Sequence, residues 1–184
     1  MPGRTPVEAF RAFIDPIQSA LGCLARAKIT ASGFNPGRVE SWTINDGAGV
    51  DLSKGWHFEA EMHYEVIRSD EPSDGPWRVT TRAYRYLISR DGTDMVRMHW
   101  HPAGQSPVRS PHLHIPFLAD GAEVEKAHLP ISRVSFEDAV QWAIMLSGQA
   151  QNGDWLAILE ATRLRHIEHQ SWSALAPGPP GPTA

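Results

Sequence analysis

The sequence predicts an α+β domain, in which an antiparallel β-sheet carries helices packed on one face. Two observations lead to this fold class. Segments with the period of two that is typical of half-buried strands occupy the middle of the chain, and segments with helical spacing of apolar residues lie on either side of them. Short turn sequences separate the strand segments, as hairpin-connected antiparallel neighbours require.

The composition limits the domain count and the class of partner. With 184 residues, of which 41% are hydrophobic and 21% charged, the chain suits a single globular domain, which we assign to residues 1–175. Residues 176–184 are rich in Pro and Gly, and we expect a disordered tail there. The formal net charge of -4 argues against a surface that binds nucleic acid or anionic membrane throughout, so any anion site must be local.

The cysteine count and the hydropathy of the chain indicate a compartment. A single cysteine, Cys23, excludes an intrachain disulfide, and its apolar neighbours indicate a buried thiol. The first residues lack the apolar core of a signal peptide, and no window approaches the length of a membrane span. We therefore expect a cytoplasmic protein with no membrane partner.

The N-terminal element is a predicted helix over residues 7–28, where apolar side chains recur at helical spacing. Pro16 falls inside this stripe. Because a proline within a helix removes a backbone hydrogen bond, we expect a kink or two separate helical pieces. The following stretch, residues 30–55, is rich in Gly, Asn and Asp and contains one short strand, RVESWTI.

Two long strands form the centre of the predicted sheet. In WHFEAEMHYEV, residues 56–66, the even positions are mostly apolar and the odd positions are polar. After the turn DEPSDGP a second strand begins at Trp77, and its Arg78 and Arg82 alternate with apolar neighbours. In an antiparallel pair these arginines face the glutamates of the first strand, which predicts charge pairing on a solvated face.

The most distinctive stretch is residues 96–117, VRMHWHPAGQSPVRSPHLHIPF, which holds four of the nine histidines in two His-x-His pairs. Apolar residues alternate with the histidines in both runs, so the four imidazoles point away from the core. If the two runs are antiparallel neighbours, pairing His101 with His112 also pairs His99 with His114. This register predicts a two-by-two histidine patch, because directly opposed side chains stand about 5 Å apart.

Helices return in the C-terminal third of the chain. Ser135 is the predicted N-cap of a helix that carries acidic residues in its first turn and an apolar stripe behind them. The sequence NGD, residues 152–154, separates it from a second helix that starts around Asp154. His128 lies between the histidine pairs and these helices, where it either joins the histidine patch or ends a loop, and we favour the loop end.

A patch of histidines supports general acid–base catalysis, since a neutral imidazole accepts a proton near neutral pH and an imidazolium donates one. Cleavage of RNA by attack of its 2'-OH needs such a pair and a cation for the charge that develops on phosphorus. This chemistry requires no metal. The acid and the base come from His99 or His101 on one side and His112 or His114 on the other, and the candidate cations are Arg97, Arg109 and Arg133.

Two other interpretations remain open. The same four histidines, His99, His101, His112 and His114, have the spacing to chelate a transition metal such as zinc. Against a metal, the segment offers no nearby Asp, Glu or Cys, and neighbouring arginines repel a dication. In the third interpretation the histidines form a surface without chemistry, and the aromatic-rich sheet is the core of an interaction module.

The order of the motifs YRYLI, RMHWHP, SPHLHI and ISRVSFEDAV resembles the TumE-type toxins of bacterial toxin–antitoxin modules. The resemblance covers about residues 84–145. It implies a ribonuclease toxin-like domain that acts on RNA and is held by a cognate antitoxin, and the positions that match are Arg97, His101, His112 and His114. The sequence departs from the family in two respects: a single histidine follows Pro111 where the family often has two, and the N-terminal half is unlike a small toxin.

Overall fold

The computed structural model of the protein describes residues 2–69, 75–103, 108–116 and 128–168. Within these ranges, nine strands form one antiparallel sheet and three helices pack against it, so the predicted α+β class is confirmed. The tail predicted at residues 176–184 lies outside the described residues.

The strands are β1 (Pro2–Gly3), β2 (Ile29–Ala31), β3 (Val39–Ile44), β4 (Val50–Asp51), β5 (Trp56–Arg68), β6 (Trp77–Arg90), β7 (Thr93–Trp100), β8 (His112–His114) and β9 (Leu129–Pro130). The helices are α1 (Pro6–Leu24), α2 (Phe136–Ser147) and α3 (Trp155–Glu168).

Helix α1 is one continuous element that ends at Leu24, so the alternative of two separate helical pieces is wrong. It starts at the N-cap Thr5, whose side chain accepts a hydrogen bond from the backbone N–H of Glu8. Pro16 is buried on the face that packs into the core, and this packing offsets the hydrogen bond that a proline removes. Cys23 lies buried on the same helix, as expected, and burial raises the pKa of its thiol.

The sheet runs in the order β2-β3-β5-β6-β7-β8-β9, with β1 paired to β6 and β4 paired to β5. The predicted alternation of β5 is confirmed, because its even positions from Trp56 to Val66 are all buried. These side chains meet the helices in an aromatic core. The rings of Trp42 and Phe136 stand 5.2 Å apart, and those of Phe13 and Tyr64 stand 5.6 Å apart. The helices therefore cover one face of the sheet and leave the other face to the polar side chains.

Two irregularities interrupt the regular pairing of the central strands. One lies between β5 and β6 at His63 and Tyr64. The other lies between β6 and β7, where Ile88 faces Val96 but the next residue, Ser89, faces Asp94. Met95 therefore has no counterpart on β6, which is the pattern of a β-bulge.

The C-terminal helices follow their sequence signals closely. Ser135 caps α2 in a capping box, in which its hydroxyl accepts from the backbone N–H of Asp138 and the Asp138 carboxylate accepts from the backbone N–H of Ser135. The helix ends earlier than predicted, at Gly148, which has a left-handed φ of 69°. Helix α3 starts directly after Asp154, as predicted.

Candidate functional site

The two His-x-His runs lie on neighbouring antiparallel strands, β7 and β8, as predicted. The predicted register is wrong by two residues. His99 lies opposite His112 and Arg97 lies opposite His114, whereas His101 follows the end of β7. A shift by two residues leaves every side chain on its own face of the sheet, so the alternation that fixed the face could not fix the register.

The histidines lie on the face of the sheet that the helices do not cover. Their strand neighbours Met98 and Leu113 are buried in the core on the opposite face. Nevertheless His112 is only 1% exposed and His114 only 8% exposed, which is far less than a solvated strand face requires. The imidazoles are therefore packed against one another and desolvated.

The distances between the rings define a compact group. The ring centroids of His99, His112 and His114 stand 5.2 to 5.6 Å apart, and one ring nitrogen from each lies within 4.8 Å of the other two. The ring of His101 lies 5.3 Å from that of His112 and 5.9 Å from that of His99. The four histidines that the sequence singled out are thus brought together.

A fifth histidine joins them, so the interpretation of His128 as a mere loop end is wrong. Its ring lies 4.7 Å from that of His112 and 4.6 Å from that of His114. Strand β9 brings it there by pairing with β8 at the edge of the sheet. Spacing in the sequence does not predict this position, because β9 is only two residues long and shows no alternation. We call His99, His101, His112, His114 and His128 the histidine cluster.

Burial determines the protonation of the inner rings. It lowers the pKa of His99 to about 3, and the neighbouring charges of His114, His112, Arg97 and His101 act in the same direction. Burial also lowers the pKa of His112, against the opposing effect of a hydrogen bond from that ring to the carbonyl of Ser110. Both imidazoles are therefore more strongly held in the neutral form than a solvated histidine.

The tautomer of His112 follows from that hydrogen bond. Its Nδ1 lies 2.9 Å from the carbonyl oxygen of Ser110, and since a carbonyl only accepts, Nδ1 carries the proton. The lone pair of the neutral ring is then on Nε2. Nε2 of His112 and Nε2 of His99 are both buried, and neither has a hydrogen-bond partner among the residues that the structure describes. A buried polar atom without a hydrogen-bond partner costs about 1–3 kcal/mol of folding free energy. The presence of two such atoms in one cluster therefore needs an explanation.

The three candidate arginines have different surroundings. The Arg97 guanidinium donates to the carboxylate of Asp94 on its own strand. The Arg133 guanidinium lies 3.8 Å from the centroid of Trp100, a core-facing ring, which places it on the helix-covered side of the sheet rather than among the histidines. Arg109 is exposed. Only Arg97 is held on the face of the histidine cluster, next to His114 in the register.

A second group of titratable side chains lies in the core, and the sequence analysis did not single it out. Nδ1 of His166 on α3 lies 2.7 Å from Oε1 of Glu137 on α2, and both side chains are buried. From the sequence, Glu137 is one of the acidic residues of the first turn of α2. No local signal distinguishes such a residue from one that turns inward to meet a distant helix.

Comparison of the chain with protein-family models, with curated proteins and with solved structures finds no match. In the described ranges, none of the helices combines the length and the apolar character that a membrane span requires.

Proposed function

We propose that the protein binds a transition metal ion, zinc in the first place, through His99, His112 and His114. The convergence of one ring nitrogen from each residue within 4.8 Å carries this proposal. Imidazole nitrogens bound to one tetrahedral zinc ion at its usual bond length stand about 3.3 Å apart. The nitrogens lie up to about 1.5 Å farther apart than this, so side-chain rotations must bring them closer when the ion binds.

The surroundings of His112 support a ligand role. Histidines that bind metals nearly always donate their other N–H to a carbonyl or a carboxylate, which fixes the tautomer and the direction of the free lone pair. The bond from Nδ1 to the Ser110 carbonyl has this form and leaves Nε2 as the ligand atom. A metal ion also satisfies the buried Nε2 atoms of His99 and His112, which have no hydrogen-bond partner among the described residues.

The protonation states support the same role. A metal competes with protons for imidazole nitrogens, so a lowered pKa favours metal binding at neutral pH. With a pKa of about 3, His99 is neutral over the whole physiological range. The same value makes His99 a poor general acid, because almost none of it carries a proton to donate near pH 7.

The two objections raised by the sequence are weaker in the folded protein. Repulsion by arginines is reduced because Asp94 neutralises Arg97 and because Arg133 packs over Trp100 on the other side of the sheet. A carboxylate or thiolate ligand is also unnecessary, since three imidazoles alone hold zinc in known catalytic sites. An all-imidazole set is compatible with zinc, copper, nickel and cobalt.

Metal analysis of the full chain, purified without a histidine tag, tests the proposal. We expect about one zinc ion per chain after dialysis against zinc and removal of the unbound ion. His112→Ala should lose it, and His63→Ala is the matched control, because His63 is on the same sheet face but pairs with Glu61 at 3.2 Å. Wild type without bound metal, or equal loss in both variants, would contradict a site at the histidine cluster.

Ribonuclease activity is our second candidate, as the resemblance to the TumE-type toxins implies. The observation that favours it is the position of Arg97 opposite His114, where a phosphate that displaces the Asp94 carboxylate gains a guanidinium beside the histidine cluster. In this candidate RNA is the substrate, the chain is a toxin neutralised by a cognate antitoxin, and an outer histidine such as His101 supplies the acid. Purified wild type should then shorten RNA in the presence of EDTA.

The two candidates separate in one growth experiment. Wild type and the His112→Ala/His114→Ala double variant are induced in the same bacterial host, and growth and total RNA integrity are measured. Arrest and RNA shortening by wild type alone support the ribonuclease. If neither protein affects growth or RNA while both are folded, the ribonuclease candidate fails and the metal site is unaffected.

A further inference from the structure

We infer that His128 is the fourth ligand of the metal, and that the bound ion ties the edge strand β9 to β7 and β8. This inference rests on the metal site proposed above. Structural zinc sites have four protein ligands, whereas catalytic sites keep one position for water or substrate. The identity of the fourth ligand therefore decides which kind of centre the histidine cluster forms.

The register of the sheet edge places His128 at the cluster. In the antiparallel pairing of β8 with β9, His112 faces Pro130 and Leu113 faces Leu129. Extending this register by one residue brings His128 directly opposite His114. The ring centroid of His128 lies 4.7 Å from that of His112 and 4.6 Å from that of His114. The ring centroid of His101 is farther from its neighbours, at 5.3 Å from His112 and 5.9 Å from His99.

Exposure supports the same assignment. The side chains of His112 and His114 are buried, whereas His128 is exposed. The ring of His128 therefore lies on the solvent side of two ligands, where a fourth ligand closes an ion held by three inner rings. The group of ring nitrogens within 4.8 Å of one another does not include His128, so its ring must turn about its side-chain torsions to close the site.

Coordination by His128 has a consequence for the chain that follows it. Strand β9 is only two residues long, and beyond it the backbone N–H of Ile131 donates to the carbonyl of Pro111 at 3.1 Å. The N–H of Val134 then donates to the Tyr84 hydroxyl at 3.0 Å, one residue before the N-cap of α2. A metal bond at His128 therefore fixes the start of the connection that leads from the sheet edge into α2.

Cobalt substitution tests the coordination number directly. Tetrahedral Co2+ absorbs visible light much more strongly than five- or six-coordinate Co2+, so the spectrum reports the number of ligands. We expect a strong tetrahedral spectrum for wild type that azide does not change, because no position is open. His128→Ala should give a weaker spectrum that azide changes, with zinc affinity reduced by at least about 10-fold. His101→Ala is the matched control and should behave as wild type.

Each alternative result has a definite meaning. If His128→Ala keeps the wild-type spectrum and its resistance to azide, or if His101→Ala shows the loss instead, His128 is not the fourth ligand while the metal site stands. A wild-type spectrum that already responds to azide also overturns the inference and indicates an open, catalytic type of centre. If wild type binds neither Co2+ nor Zn2+, the proposed metal site itself fails. Circular dichroism of the metal-free variants confirms that each is folded.

Discussion

On the face of the sheet that the helices do not cover, the histidines of β5 and those of β7 to β9 have different kinds of partner. On β5 and β6 both histidines and at least two arginines have carboxylate partners. Nδ1 of His57 lies 2.7 Å from Asp51, and Nε2 of His63 lies 3.2 Å from Glu61. Two arginines of β6 also reach the glutamates of β5, Arg82 with Glu65 at 2.6 Å and Arg85 with Glu59 at 3.5 Å. The predicted pairing of Arg82 with a glutamate of β5 is thus confirmed.

On the other half, at β7 to β9, the partners of the imidazoles are mainly other imidazoles. Among the described residues, the ring contacts of His99 are to His101, His112 and His114. Neutral imidazoles packed together in this way each offer a lone pair, and an electron-pair acceptor stabilises such an arrangement. Strand alternation alone is enough to place polar side chains on one face of the sheet. Whether those side chains pair with one another or can bind a ligand depends on which side chains lie next to them.

The largest effect is expected at a histidine whose carboxylate partner is fully buried. His166→Ala removes the partner of Glu137 in the core and should lower the free energy of unfolding by about 3–5 kcal/mol, because the remaining carboxyl group is left buried and unpaired. His63→Ala, in the exposed Glu61 pair, should cost less than about 1 kcal/mol. Denaturant titration measures both. Similar values for the two variants would remove the distinction between buried and exposed histidine–carboxylate pairs.

Zinc should stabilise the protein through the histidine cluster and not through the other half of the face. At a free zinc concentration of 100 times the dissociation constant, the free energy of unfolding should rise by about 2.7 kcal/mol. The rise should disappear in His99→Ala and persist in His57→Ala, whose side chain pairs with Asp51. Thermal unfolding with and without zinc measures this, and a rise that persists in His99→Ala would place the ion elsewhere.

The stability of the protein should also depend on pH through the histidine cluster. The pKa of His99 is lowered to about 3 in the folded protein, so between about pH 6.5 and pH 3 the unfolded chain binds a proton that the folded chain excludes. Its contribution is present above pH 6.5 and is lost as the pH falls, by up to about 1.4 kcal/mol per pH unit. In EDTA, His99→Gln should be less acid-sensitive than wild type, because the side chain that the folded protein keeps neutral is then absent. Identical pH profiles would contradict the lowered pKa.

The smallest effect is expected at the ion pair between Arg82 and Glu65. Arg82 is 40% exposed, so Arg82→Ala should change the free energy of unfolding by less than about 1 kcal/mol, and added salt should reduce the effect further. Urea titration at low and high salt measures it. A loss of several kcal/mol would show that this half of the face is more than a solvated charge pairing.

The sequence was sufficient for the fold class and for the face on which the histidines lie, because alternation and capping are local signals. Ser135 and the even positions of β5 are the clearest cases. The register of β7 and β8 was not predictable, since a two-residue shift preserves every apolar contact pattern that alternation specifies. The position of His128 depends on β9, which is too short to produce a pattern.

Pro16 in helix α1 and the buried pair of Glu137 and His166 also depend on tertiary contacts that local sequence signals do not predict. A proline is locally unfavourable in a helix, yet Pro16 is retained because the tertiary packing of that face outweighs the lost hydrogen bond. Glu137 satisfies the local preference for an acidic residue near a helix start, and its meeting with His166 depends on how α2 and α3 pack. Local rules describe each segment correctly and cannot state which distant segment it meets.

The β-bulge at Met95 sets the phase of strand β7. In a regular strand, residues three apart point to opposite sides, so Asp94 and Arg97 could not form their ion pair. The extra residue inverts the alternation between them, and both side chains reach the same face. Deleting Met95 would therefore act as a frameshift within the strand: it would leave the composition of β7 almost unchanged, separate Arg97 from Asp94, and return a bare guanidinium charge to the neighbourhood of the imidazoles.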